Sequence, residues 1–271
     1  MKKMIISDLD GTLLNSHKQI TEKTKDVIRK LTEKGIIFTV ASGRSRRSQK
    51  EVIGDLSFAC ISDNGATVYD ADDRLLWYRA IPKDTFRALY KLVEANPFLH
   101  PVFCGLKTHY VLKSDTEESI ENAISFFNGH VILVDSMEQV LAADEVVKLS
   151  LHTKLDGSEE QKGLEVLKDF ADDVKITLSG DGWVDVTAKG VTKGLAYEKI
   201  LEKLSIQPED TVMFGDYIND LEMMECCPDT WCMANGHPDV KKISDHITRF
   251  SNEEDGVAIE LEEIFGSILK N

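Results

Sequence analysis

The chain has 271 residues, and 47 acidic against 32 basic side chains leave a formal charge of −15. That length allows one large or two modest domains, while 42% apolar and 29% charged residues exclude a disordered chain. The acidic balance argues against a nucleic-acid binder, because phosphate backbones recruit basic surfaces, and no apolar run nears the ~18 residues of a membrane span.

The opening MKKMIISDLD turns charged again at Asp8, so no secretory signal core is expected. Five cysteines without a Cys-x-x-Cys pair fit reduced thiols, and the expected location is the cytoplasm. Met4–Ser7 reads as a first strand, followed by the turn-prone Asp8-Leu9-Asp10-Gly11. Thr21 caps a predicted helix that carries Val27, Ile28 and Leu31 on one face and stops at Gly35. Ile36–Ala41 and Phe58–Ser62 are further buried-strand runs, and this alternation predicts a parallel sheet with right-handed crossovers.

The pattern changes in the middle. Thr67–Tyr69 and Leu75–Tyr78 flank a turn and predict a hairpin. Helices are predicted near Lys83–Ala95, Thr116–Phe127 and Glu159–Phe170. Strands are predicted at Val102–Cys104, Tyr110–Leu112, Val131–Val134, Val146–His152, Lys175–Leu178 and Trp183–Val186. After Lys193 the first pattern returns, with helices near Leu195–Leu204, Asp220–Glu225 and Pro238–Ile243 and a final helix. Strands Thr211–Phe214, Trp231–Ala234 and Ile247–Arg249 lie between them. The reading is a doubly wound α/β domain built from both ends of the chain, with an α/β insert of its own core between them.

Four clusters fall at predicted strand ends, where open α/β sheets form their ligand crevice. In Asp8-Leu9-Asp10-Gly11-Thr12, two carboxylates two residues apart suit a shared metal ion, or a nucleophile beside an acid/base; an acidic solvated turn is the plain alternative. Ser42-Gly43-Arg44 offers a hydroxyl and backbone N–H to an anion, or is an ordinary loop, and Arg46 and Arg47 read as a solvated helix face. Lys193 opens a helix, against the helix dipole, a conflict an anionic ligand would relieve, or is an ordinary exposed lysine. In Gly215-Asp216-Tyr217-Ile218-Asn219-Asp220, Asp216 suits Mg²⁺, Asn219 could donate to a phosphate oxygen and Asp220 could orient Lys193 or a metal-bound water. Asn219 and Asp220 also read as a helix N-cap pair. Together the clusters supply what phosphoryl transfer requires.

The four motifs, in this order, resemble those of the haloacid dehalogenase superfamily of phosphatases, in its Cof-type branch with a type IIB cap. Ser62-Asp63-Asn64-Gly65-Ala66, Met233-Ala234-Asn235-Gly236 and Asp255-Gly256-Val257-Ala258 match the branch as well. The resemblance implies a Rossmann-like core at 1–81 and 189–271 and an inserted cap at 82–188 that covers the site. It implies that Asp8 attacks phosphorus and becomes an aspartyl-phosphate, while Asp10 protonates the leaving alcohol and then activates water. Mg²⁺ would be held by the Asp8 carboxylate, the Asp10 carbonyl and Asp216. Phosphate or substrate would contact the Leu9 N–H, Ser42, Gly43, Arg44, Lys193 and Asn219, with Asp220 behind them. Tyr217 departs from the small or amide residue of many relatives.

On these roles Asp8 stays ionised beside the cation, and Asp10 needs a raised pKa to act as an acid. The expected partner is a small phosphorylated metabolite such as a sugar phosphate, a nucleotide or flavin precursor, or pyridoxal phosphate. Neither nucleic acid nor membrane is expected, and the chain is expected to be a monomer or weak homodimer. Cys104, His109, Trp183 and Asp185 are candidate specificity residues in the insert. A phosphomutase would share the motifs but carry a smaller cap near the first one, for which Leu13–Thr21 leaves no room. A receiver-like phospho-acceptor module would be half as long and lack Asp10, and an idle binding protein would not need complete motifs.

Overall fold

A computed structural model describes residues 2–153, 160–180 and 182–270. The chain divides into two units, Met1–Trp77 with Thr192–Asn271, and Tyr78–Val191. The expected borders at 81/82 and 188/189 lie three or four residues inside these.

The first unit begins with β1 (Met4–Asp8), α1 (Glu22–Glu33), β2 (Ile37–Ala41), α2 (Arg46–Ile53) and β3 (Ala59–Ser62), then β4 (Thr67–Tyr69) and β5 (Leu75–Tyr78), whose last residue opens the second unit. Thr21 caps α1 by accepting the Thr24 N–H, and Val27, Ile28 and Leu31 are buried. The insert carries α3 (Lys83–Glu94), β6 (His100–Gly105), β7 (His109–Leu112), α4 (Glu117–Phe126), β8 (Val131–Val134), α5 (Met137–Ala143), β9 (Val146–His152), α6 (Glu160–Leu167), β10 (Val174–Gly180) and β11 (Trp183–Ala188). The first unit resumes with α7 (Lys193–Leu204), β12 (Thr211–Gly215), α8 (Leu221–Met224), β13 (Thr230–Cys232), α9 (Pro238–Ile243), β14 (His246–Ile247), α10 (Gly256–Ile264) and α11 (Gly266–Leu269).

The first unit's sheet runs β14-β13-β12-β1-β2-β3-β4-β5, parallel from β14 through β3 and antiparallel at β3/β4. Alternation along each strand feeds two cores. Ile5, Phe38, Val40, Val212 and Phe214 pack with α1 and α10 residues on one face. Met4, Ile6, Ala59, Ile61 and Met213 pack with Ala196, Tyr197, Ile200, Met223 and Val240 on the other. This is the doubly wound parallel sheet expected from the sequence.

The insert's sheet runs β10-β11-β9-β6-β7-β8, antiparallel except at β7/β8. All seven residues of β9 are buried. Helix α5 was not foreseen, since seven residues give barely two turns of periodicity. The predicted helix Asp220–Glu225 is instead a 3₁₀ turn at Ile218–Asp220 and the single-turn α8, and the last strand shrinks to two residues. Glu159, the expected start of α6, lies outside the described residues. No helix among the described residues is long and apolar enough to cross a membrane.

Candidate active site

In the sheet order, β1 is flanked by β2 on one side and β12 on the other. The crossovers leaving β1 therefore diverge, which opens a crevice at the carboxyl ends. Register places the loops level, since Asp8 pairs with Ala41 and Ser7 with Phe214. Ser42 and Asp216 thus leave their strands beside the end of β1.

Lys193, 2% exposed at the start of α7, reaches back to this point. Its Nζ donates to Asp8 Oδ1 at 2.6 Å and to Asp220 Oδ1 at 2.7 Å. The conflict with the helix dipole is thereby answered by two carboxylates of the chain itself, without an anionic ligand. Burial opposes the Lys193 charge, but the Asp220 and Asp8 charges overcome it and raise its pKa. Asp220 Oδ2 accepts the N–H groups of Asp216 at 3.1 Å and Tyr217 at 3.2 Å. The expected N-cap role is corrected: Asp220 makes no cap bond to α8 and instead ties down the loop that presents Asp216.

Asp216 Oδ1 accepts from Thr12 Oγ1 at 2.8 Å. Gly11, at φ 85°, lies so close to Asp216 that a Cβ there would be 3.0 Å from its Cγ. Asn235 Nδ2 donates to the Gly11 carbonyl at 2.8 Å, and the His237 N–H to the Asp216 carbonyl at 2.7 Å. Thr12 and Asn235 had no assigned role, although both stand within quoted motifs; a side-chain bond across 204 residues leaves no local signal.

Oxygens of Asp8, Asp216 and Asp220 lie within 4.8 Å of one another. Burial raises the Asp8 pKa well above its ordinary range; Lys193 counters this, while Asp220 and Asp216 add to it. Burial, then the Asp220 charge, lifts Asp216 to about 6. Three carboxylates against one ammonium leave an excess of two negative charges, a donor set that fits a hard divalent cation. Both Asp220 oxygens are committed to Lys193 and the backbone, which leaves Asp8 and Asp216 to hold it.

Asp10 corrects one expectation. Its carboxylate is gripped from both sides by Arg44, Nε to Oδ2 at 2.8 Å and Nη2 to Oδ1 at 2.7 Å, with Lys18 Nζ at 2.9 Å from Oδ1. Burial alone would raise its pKa, yet the Arg44 hydrogen bonds and charge, then Lys18, hold it at about 2. The expected upward shift is absent in this arrangement. Arg44, expected on phosphate, is engaged with Asp10.

Leu9 buries its side chain in the core, so only its backbone remains for an anion. Ser42 is buried, and its Oγ accepts the Arg44 N–H at 3.2 Å. Gly43 sits under the Asn64 side chain. Asn219 is half-buried in the Ile218–Asp220 turn.

The four insert candidates share its sheet. Asp185 accepts from Ser150 and Ser179 at 2.6 Å each and pairs with buried Lys148 at 3.4 Å. Cys104 and Trp183 belong to an apolar cluster with Val102, Val111 and Phe127, and His109 lies 4.2 Å from the Phe127 ring.

The chain is 26% identical to the phosphatase YwpJ of Bacillus subtilis, over 94% of this chain and 97% of that one. It is 28% identical to a Streptococcus pyogenes protein whose name joins a phosphatase to a peptidyl-prolyl cis-trans isomerase; the match covers 97% of this chain but only 54% of that protein. Among solved structures, TM0651 from Thermotoga maritima matches with a TM-score of 0.84 and 29% identity, over 97% of each chain. The family profile described as haloacid dehalogenase-like hydrolase matches residues 5–261, four loops of which build this site, and the chain belongs to that family of hydrolases.

Proposed function

We propose that the protein is a Mg²⁺-dependent phosphatase of small phosphorylated metabolites that works through an aspartyl-phosphate on Asp8. The observation that carries this reading is the buried Asp8–Lys193–Asp220 bridge with Asp216 alongside, at the carboxyl ends of β1 and β12. A bound divalent ion would supply charge neutralisation for the phosphoryl oxygens.

Lys193 fixes Asp8 through Oδ1, and Oδ2 accepts no hydrogen bond from a described residue. A carboxylate oxygen of Asp8 attacks phosphorus as the P–O bond to the leaving group breaks, and that bond's electron pair goes to the departing oxygen. A proton from Asp10 completes the alcohol. In the second half, water attacks the aspartyl-phosphate and Asp10 accepts its proton, releasing phosphate and restoring Asp8. The Arg44-bound Asp10 is ionised, the form needed for that second step; to donate in the first step it must leave Arg44. Several Bacillus subtilis relatives are named 5-amino-6-(5-phospho-D-ribitylamino)uracil phosphatases, which supports polyol phosphates and flavin precursors among the candidate substrates.

The test is phosphate release over a panel of sugar phosphates, ribityl phosphates, nucleotides and pyridoxal phosphate, with Mg²⁺ and with chelator. Asp8→Asn is expected to fold and release no phosphate from any of them. Turnover in Asp8→Asn, or undiminished turnover in chelator, would overturn the proposal.

A further inference from the structure

The sequence motif Ser62-Asp63-Asn64-Gly65 has no part in the chemistry above, yet it forms the most unusual backbone in the described chain. Asp63, Asn64 and Gly65 have φ of 53°, 57° and 97°, three left-handed residues in succession. L-residues adopt this conformation singly, and Asp63 and Asn64 are both buried, where no solvent-facing loop demands it. Such backbone persists where its surroundings over-determine it.

Those surroundings are two parts of the site. The N–H groups of Asp63 and Asn64 donate to the carbonyls of Arg44 at 3.1 Å and Ser42 at 3.2 Å. With the Ser42 carbonyl turned toward Asn64, the trans peptide directs the Gly43 N–H away from the turn. The Asn64 side chain lies over the Gly43 α-carbon, where a Cβ would come within 2.8 Å of its Oδ1. On the other side, Gly65 abuts the first peptide of α7: a Cβ there would collide with the Thr192 carbonyl and lie 2.9 Å from the Lys193 nitrogen.

We infer that Asn64 is a positioning residue for the anion site, its left-handed turn holding the Ser42-Gly43 peptide and the Lys193 end of α7 in fixed relation. This rests on the phosphatase reading. Its role is to act through Gly43 and, by way of Gly65, through Lys193.

The decisive variant is Asn64→Gly, because glycine adopts left-handed φ freely and only the side chain is lost. Tungstate, a phosphate mimic, is titrated with Mg²⁺ by calorimetry, alongside KM, kcat and thermal melting. The variant is expected to melt as wild type while tungstate Kd and KM rise about tenfold, the effect of a small misplacement of binding groups. If Asn64→Gly melts early, Asn64→Ser is used instead, since Ser205 adopts φ 55° in this chain. Its short side chain is expected to weaken tungstate binding likewise. Unchanged Kd and KM in a folded variant, or weakening only in proportion to the unfolded fraction, would overturn the inference. A wild-type protein that neither binds tungstate nor hydrolyses phosphate monoesters would instead overturn the phosphatase reading itself.

Discussion

Replacing Lys193 with methionine leaves the buried Asp8 and Asp220 carboxylates without the cation both touch. Breaking a buried pair costs about 3–5 kcal/mol, since an uncompensated charge remains, and Lys193→Met is expected to lose that much in urea unfolding. A loss below about 1 kcal/mol would mean that water already screens the cluster. Asp216 gives a second prediction. Folded, burial and the Asp220 charge hold its pKa at about 6, against 3.8 when solvated. The unfolded chain therefore releases this proton first, so metal-free protein loses stability from this group as pH rises from 3.8 to about 6, and the deficit persists above that. A divalent cation removes the repulsion, so Mg²⁺ is expected to raise Tm more above pH 6 than below it, where protons compete for the same oxygen. Equal shifts on both sides would remove Asp216 from the metal site. Asp8, Asp10 and Asp216 stood out in the sequence because each follows a strand-like run where a turn begins, and Lys193 because it opens a helix. The Arg44 grip on Asp10, the Lys18 contact and the Thr12 bond did not, because side-chain pairing across folded loops has no period or spacing to betray it.

At the level of elements, α7 shows why local preference alone misleads. Gly194 stands in its first turn, where alanine would ordinarily gain up to about 1 kcal/mol of helix propensity. Here a Cβ would lie 2.5 Å from the Glu222 carbonyl and 2.9 Å from its carbon. Backbone cannot yield as a flexible side chain does, so Gly194→Ala is expected to destabilise by more than about 1 kcal/mol despite that gain. A stabilised variant would show that α7 and α8 can separate without cost. The strands were legible because apolar, β-branched runs of about five residues announce them. Helix α5 and the broken Asp220–Glu225 segment were not: one is too short to show periodicity, and the other gives its Asp220 carboxylate to a loop.

For the whole molecule, the two units carry separate cores, Ile5, Phe38 and Leu261 in one and Val102, Val111 and Phe127 in the other. Asp8, Asp216, Lys193 and Arg44 all belong to the first. Saturating Mg²⁺ with tungstate, at about 100 times Kd, contributes about 2.7 kcal/mol to whatever unfolds with the site. Calorimetry is expected to show the transition of the first unit rising while that of the insert stays in place. A single transition that moves as one would show that the units melt together. What the sequence offers toward such a division is the return of strand and helix runs after Lys193, which mirrors the opening of the chain.

The path enters the insert after Trp77 and leaves it before Thr192. At that doorway Arg79 Nη1 donates to the Lys189 carbonyl at 3.4 Å, so more than a hundred residues begin and end side by side. To the rest of the polypeptide, such an excursion is topologically equivalent to a tight hairpin. Foreign modules with neighbouring termini can therefore be spliced in at this port, which lets lineages, or protein engineers, exchange the whole excursion in one recombination event without rethreading the catalytic scaffold.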